Sequence, residues 1–343
     1  MDRAQNIALY LTQKNWMNTP VVASQVSFLA AGEYNENWLI RCANHSAVFR
    51  INHGSQLNQA DQIGYEYSVL RHVAASGVTP QPFALDSQAG EHGFGNGVLL
   101  MEYLPGTPLQ YERDSAAAAA LFAKVHSCPV PPQGTLVAQP DPVKDIADEC
   151  LGLLTRQPDH PRKDVLARLL AYRDEVLQLG ADTKPLFADE PQVITNTEVN
   201  SGNFILLDAA ATRTNGQPAS ATALYLVDWE KAVVSCCHQD LGHFLIPTTT
   251  RWRTDFTYTP EGRMDFLREY LKARTGTVNR TEMDALHERT RVLERTILLR
   301  ALSWCYMAWY EYERQQRALR NAFTFSRITS YLDNIEWILK YGE

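Results

Sequence analysis

The sequence predicts an α+β protein in two lobes: a small β-rich lobe over residues 1–104 and a large, mostly helical lobe over 105–343. Three observations predict it. Short runs of β-branched and aromatic residues, separated by turn residues, dominate the first hundred positions and surround a single helical pattern. Pro105-Gly106 cuts the last of those runs. Beyond that joint helical periodicity takes over, and between Gly276 and Gly342 no Gly or Pro interrupts it. A chain of 343 residues is long enough to bury two such cores.

The elements read in order as follows. Residues 1–20 read as a helical extension closed by Pro20. Val21–Leu29 reads as a strand, and Gly32–Asn37 as the turn after it. Trp38–Arg41 and Ala47–Ile51 are the next two strands, joined by Asn44-His45-Ser46. Ile63, Tyr67, Leu70, Val73 and Ala74 fall at helical spacing within 58–76, and Gly77 closes that helix. Gly97–Leu104 is a buried-strand pattern. Gly93-Phe-Gly95-Asn-Gly97 resembles a glycine-rich nucleotide motif, but a strand rather than a helix follows it, so it reads as a hairpin tip. Helices are expected over 114–127, 141–157 and 162–180. One β region interrupts them, 203–207 and 223–227, joined through the hairpin signal Asn215-Gly216. Thr281-Glu-Met-Asp284 reads as a capping box opening a C-terminal helical hairpin or bundle.

Composition narrows the class. The apolar fraction of 45% and charged fraction of 21% are those of a water-soluble globular protein. A formal net charge of −7, with bases and acids interleaved over 281–320, argues against nucleic acid. The longest apolar run, Ala116–Ala123, is far below the roughly 20 residues of a spanning helix. The first residues lack the basic start and apolar stretch of a secretory leader, so a cytoplasmic protein is expected. Six scattered cysteines form no framework. Cys236-Cys237-His238 has no second Cys/His pair at zinc spacing, so reduced, buried thiols are expected.

Two linked stretches carry the chemistry: Asn196-Thr-Glu198-Val-Asn-Ser-Gly-Asn203, and Leu226-Val-Asp228-Trp229-Glu230. A carboxylate lies five residues before an asparagine, and a second carboxylate ends an apolar strand. Together with the lobe order, these motifs resemble the aminoglycoside phosphotransferase and choline kinase family, a branch of the protein-kinase-like fold. The resemblance covers roughly residues 20–340. The family pattern is His-x-Asp-x-x-x-x-Asn followed by an aspartate on a later strand. Here Asn196 stands for the histidine and Glu198 for the first aspartate.

The resemblance implies ATP and Mg²⁺ as cofactors and a hydroxyl on a small molecule as phosphoryl acceptor, with aminoglycoside-, choline- or homoserine-like compounds as the class. Asn203 and Asp228 are then the metal ligands, since magnesium takes oxygen donors. Glu198 is the catalytic base, and Asn196 keeps the loop in shape through its amide. In the small lobe, Arg50 contacts the phosphates in place of the usual lysine and pairs with Glu66. Gly32 and Asn35 belong to the loop over the phosphates. Glu102 and Tyr103 lie in the linker that meets the adenine edge. Asp240 is expected to brace the catalytic loop, and His126 to be a packed core histidine. Trp304, Tyr306, Trp309, Tyr310 and Tyr312 could form a box for a cationic ligand or simply fill a helical core. Because Glu is one methylene longer than Asp, a second reading stays open: a catalytically impaired nucleotide-binding protein that acts as a binding or regulatory module.

Overall fold

A computed structural model describes residues 2–42, 45–55, 57–207, 223–316 and 321–341. They form two compact units, and each is discontinuous in sequence. The first holds 1–107 and 205–231, the second 108–204 and 232–343. The first unit thus takes in 205–231, a stretch that the sequence pattern assigns to the helical lobe.

The first unit is the β-rich one. It opens with α1 (Arg3–Lys14), whose Asp2 and Gln5 form a reciprocal cap. Asn15, in the left-handed conformation at φ 53°, ends this helix five residues before Pro20. Then come β1 (Val26–Ala31), β2 (Asn35–Arg41), β3 (Ser46–Asn52), α2 (Gln62–Val73), β4 (Pro82–Asp86), β5 (Val98–Glu102) and β6 (Gly106–Pro108). The sheet order is β1-β2-β3-β5-β4, antiparallel throughout. The pattern gives no warning of β4, because Pro80 and Pro82 read as breakers. Proline is tolerated at a strand start on a sheet edge, which is where Pro82 sits. Residues 87–97 connect β4 to β5, so the glycine-rich decoy lies in a hairpin connection. Beneath the sheet, Ile7, Leu11, Phe49, Ile51, Phe94 and Leu100 make one buried cluster.

The second unit is helical: α3 (Tyr111–Val125), α4 (Pro142–Thr155) and α5 (Lys163–Thr183) precede β7 (Gln192–Thr195). Two strands follow that belong largely to the first unit, β8 (Phe204–Leu207) and β9 (Leu224–Leu226), which form a sheet in the order β6-β8-β9. The Asn215-Gly216 turn between them, like Asn44, lies outside the described residues. The chain then makes β10 (Val233–Cys236), antiparallel to β7, followed by α6 (His238–Leu245), α7 (Pro247–Thr250), α8 (Pro260–Thr275), α9 (Arg280–Glu313), α10 (Ala322–Asp333) and α11 (Ile335–Lys340). The β7–β10 pair is not foreseen by the pattern, since four-residue strands carry too few alternations to show a period of two. Helix α9 is capped by Asn279, two residues before the expected cap Thr281, because the Asn279 side chain accepts from Glu282 N. Its 34 residues form the spine of the unit, packed by α4, α5, α10 and α11 around Leu298, Leu302, Tyr306 and Ile328. Among the described residues no helix is long and apolar enough to cross a membrane.

Candidate functional site

In the first unit, β3 carries Arg50 opposite Asn37 of β2, and Arg50 Nε donates to Asn37 Oδ1 at 3.0 Å. The guanidinium is buried. Its Nη1 lies 2.5 Å from Glu66 Oε1 on α2 and 2.9 Å from Asp228 Oδ1. Burial pushes the Glu66 carboxyl up and the Arg50 guanidinium pulls it back. For Arg50 itself burial opposes the charge, but Glu66 and then Asp228 outweigh it, so the arginine stays protonated. The pairing expected of Arg50 and Glu66 is therefore present, with Asp228 added to it.

Asp228 stands just after β9 with φ 64°, a left-handed backbone that non-glycine residues seldom take. Three contacts hold its neighbours. Trp229 is fully buried and donates Nε1–H to Leu226 O at 3.0 Å. Gln62 Nε2 donates to the Glu230 carbonyl at 2.8 Å. Asn35 Nδ2 donates to Glu230 Oε2 while Asn35 Oδ1 accepts from Asn52. Gln62 and Glu230 escape a sequence reading. Nothing local marks a buried glutamine whose partner lies 168 positions away.

The phosphate-loop reading changes in detail. The turn is tighter than Gly32–Asn37: Gly32 N donates to Asn35 O, and Asn35 already begins β2. The Asn35 side chain is buried in the bonds just named, so it shapes the turn from below. Gly32 has open space around its α-carbon. Glu102 is the last residue of β5 and is buried; its Oε2 accepts from Gln81 N at 3.2 Å, which ties β5 to the start of β4. Tyr103 is half-buried in the next position.

In the second unit, the loop after β7 is held from behind by Asp240 of α6. Its two carboxylate oxygens accept from Asn196 N at 2.8 Å and Thr197 N at 2.9 Å. Asp240 is fully buried, and His126 Nε2 sits 3.3 Å from it while His126 Nδ1 meets the Tyr270 hydroxyl. Asn196 is also fully buried, and its Oδ1 accepts the backbone N–H of Glu198 at 2.9 Å. Thr197, between them, has φ 64°. Asn203 Nδ2 donates to the Glu198 carbonyl at 2.7 Å, which leaves its Oδ1 as the remaining donor atom for a cation. A β-carbon at Gly202 would stand 2.6 Å from Arg253 Nε, so a larger residue in the turn before Asn203 would displace the Arg253 side chain. The structure thus joins Asn196, Glu198 and Asn203 in one loop braced by Asp240 of α6, and Arg50, Glu66 and Asp228 in one ion cluster.

The aromatic residues of α9 do not form a cationic box. Tyr306, Tyr310 and Tyr312 are buried, Tyr306 stacks on His160 with ring centroids 3.7 Å apart, and Tyr312 stacks on Phe325. They fill the helical core. Asp255 and Asp265 are exposed.

A family model described as "Phosphotransferase enzyme family" matches residues 25–286. An ethanolamine kinase from Plasmodium vivax superimposes with a TM-score of 0.64 at 14% identity, over 90% of this chain and 81% of that one. A choline kinase from Cryptosporidium parvum gives 0.61 at 14% identity, over 97% of each chain. A spectinomycin phosphotransferase in complex with ADP and spectinomycin gives 0.53 at 10% identity, over 92% of this chain and 93% of that one. At such identities these likenesses show the fold, which is that of small-molecule kinases. No curated protein matches the chain.

Proposed function

The chain belongs to the phosphotransferase enzyme family, and from that membership we propose an ATP- and Mg²⁺-dependent kinase that moves the γ-phosphoryl group to a hydroxyl of a small molecule. The observation that carries the reading is the Arg50–Glu66–Asp228 cluster. A buried arginine fixed between two carboxylates is costly unless it has a use, and nucleotide phosphates provide one. Arg50 holds phosphate oxygens as a fork, and Glu66 orients it. The carboxylate of Asp228 and the Oδ1 of Asn203 are hard oxygen donors of the kind magnesium takes, and the fixed amide of Asn203 fits that role. Magnesium, when bound, neutralises charge on the phosphoryl oxygens. Glu198 accepts the proton of the acceptor hydroxyl, with its backbone held by Asn196 and Asn203. Six cysteines, none of them in a disulfide, fit a reducing cytoplasm.

A second reading, nucleotide binding without turnover, is favoured by Glu198 alone. Its carboxylate reaches one methylene further than the family's aspartate, and a misplacement of about 1 Å can cost on the order of a hundredfold in rate. One experiment separates the two. ADP release is measured with Mg-ATP against alcohols, amino alcohols, sugars and aminoglycosides, alongside the nucleotide-induced shift of the melting midpoint. The kinase reading expects acceptor-dependent ADP release that Glu198→Gln abolishes while the midpoint shift survives, and a shift that Asp228→Ala removes. A midpoint shift without turnover on any acceptor gives the second reading. Neither signal would sink both.

A further inference from the structure

The Cys236-Cys237-His238 run, set aside in the sequence for want of a second ligand pair, acquires a partner in the fold. Cys237 immediately precedes α6 and His238 is its first residue. Glu190 comes from the segment just before β7, 47 positions upstream of Cys237. The Cys237 Sγ lies 3.7 Å from Glu190 Oε1, and His238 Nε2 lies 3.2 Å from the same oxygen. One donor atom from each of the three residues fits within 4.8 Å of the others. A tetrahedral zinc with bonds of about 2.3 Å to sulfur and about 2.0–2.1 Å to nitrogen and oxygen sets S···O near 3.6 Å and N···O near 3.3 Å. Both observed separations, 3.7 and 3.2 Å, agree with these to within about 0.2 Å.

The surroundings fit a ligand cage. His238 is buried, and its Nδ1 meets Thr290 Oγ1 at 3.0 Å, the bond from behind that fixes a metal-binding imidazole. Its Nε2 has no hydrogen-bond partner, although it points at the carboxylate. The Cys237 thiol donates to the same Glu190 oxygen that His238 Nε2 faces without a hydrogen bond, and three donor atoms converging in this way are a configuration that a shared cation satisfies. The other oxygen of Glu190 is held by Arg289 Nη1 at 3.3 Å.

We propose that Glu190, Cys237 and His238 bind one borderline-soft divalent metal of the zinc type, with water in the fourth position. The sulfur and imidazole donors select such an ion over magnesium, so this site and any nucleotide-borne metal are chemically distinct. Binding deprotonates the Cys237 thiol and releases that proton to solvent, with no change of oxidation state. The consequence reaches further than the three ligands. Helix α6 carries Asp240, and Asp240 fixes the Asn196–Thr197 backbone. A metal at the start of α6 therefore pins the helix that holds the loop.

The full chain, freed of metal with a chelator and dialysed against Zn²⁺ or Co²⁺, provides the test. Stoichiometric zinc after gel filtration, a thiolate-to-cobalt charge-transfer band and a zinc-dependent rise in melting midpoint are expected. Cys237→Ser should lose all three while its far-UV circular dichroism stays that of the wild type, and Glu190→Gln should weaken zinc at least tenfold if the serine variant does not fold. Cys42→Ser, which alters the one cysteine that is not buried, should keep all three. The proposal fails if the wild type retains no zinc, which would mean an imidazolium–carboxylate pair alone. It fails equally if the cobalt band survives in Cys237→Ser or disappears in Cys42→Ser.

Discussion

Thr197 and Asp228 both hold φ at 64°, and neither is a glycine. A left-handed backbone costs a non-glycine residue of order 1–3 kcal/mol and persists where surrounding bonds over-determine it. For Thr197 those bonds are visible: Asp240 takes the N–H groups of Asn196 and Thr197, and Asn196 takes that of Glu198. Asp240→Asn exchanges an acceptor oxygen for a donor, so one buried N–H loses its partner. The expected cost is about 1–3 kcal/mol, seen as a lower melting midpoint, and turnover should fall more than nucleotide affinity. The spacing of Glu198, Asn203 and Asp228 was legible in the sequence because a motif is local. The backbone conformation at Thr197 was not, because β-branched threonine is among the last residues anyone would place there.

At the scale of elements, α1 is fastened to the end of β4. The Tyr10 hydroxyl donates to Asp86 Oδ2 at 2.6 Å, and Lys14 Nζ lies 2.7 Å from the same oxygen. Burial pushes the Asp86 carboxyl up, but Lys14, Tyr10 and the Gln88 N–H outweigh it and bring it down to about 2. A carboxyl depressed in the folded state gives stability above its unfolded value near 3.9, and that contribution disappears as pH falls through the folded one. Asp86→Asn should therefore melt lower than the wild type above about pH 4, and the gap should close toward about pH 2, as followed by circular dichroism. The presence of α2 was readable from its apolar spacing, but the helix fills only Gln62–Val73 of the expected 58–76, and Gly77 closes the short 3-10 turn Ala74–Ser76 that follows it. The end of α1 was not readable, because Asn15 stops it through its own left-handed backbone and Pro20 was the stronger signal in the sequence. Close packing was equally invisible: a β-carbon added at Gly242 of α6 would stand only 3.0 Å from the backbone nitrogen of Glu294 on α9.

At the scale of the whole molecule, the order of lobes was readable but not their membership. Composition changes at Pro105-Gly106, and the first compact unit does end its first segment at Thr107. That unit also reclaims 205–231, which no compositional shift announces. It needs them: Leu104 packs on Leu207 and Tyr225, and Trp229 is fully buried. A fragment ending at residue 107 would expose that apolar surface and leave Arg50 without Asp228. It is expected to be unfolded or aggregated and to bind no nucleotide, as judged by circular dichroism and calorimetry. A single chain in which 205–231 follows 1–107 through a flexible linker should recover the fold.

The ion cluster around Arg50 has one consequence for how a ligand arrives. One guanidinium faces Glu66 and Asp228 directly and also feels the Glu230 carboxylate. Three negative groups against one positive leave this corner of the small unit an excess of anionic character. A bare polyphosphate approaching it would meet repulsion before it met a donor. Nucleotide should accordingly bind as a pre-formed salt with its divalent counter-ion, so titration calorimetry with chelator present should show affinity at least tenfold weaker than with magnesium in excess.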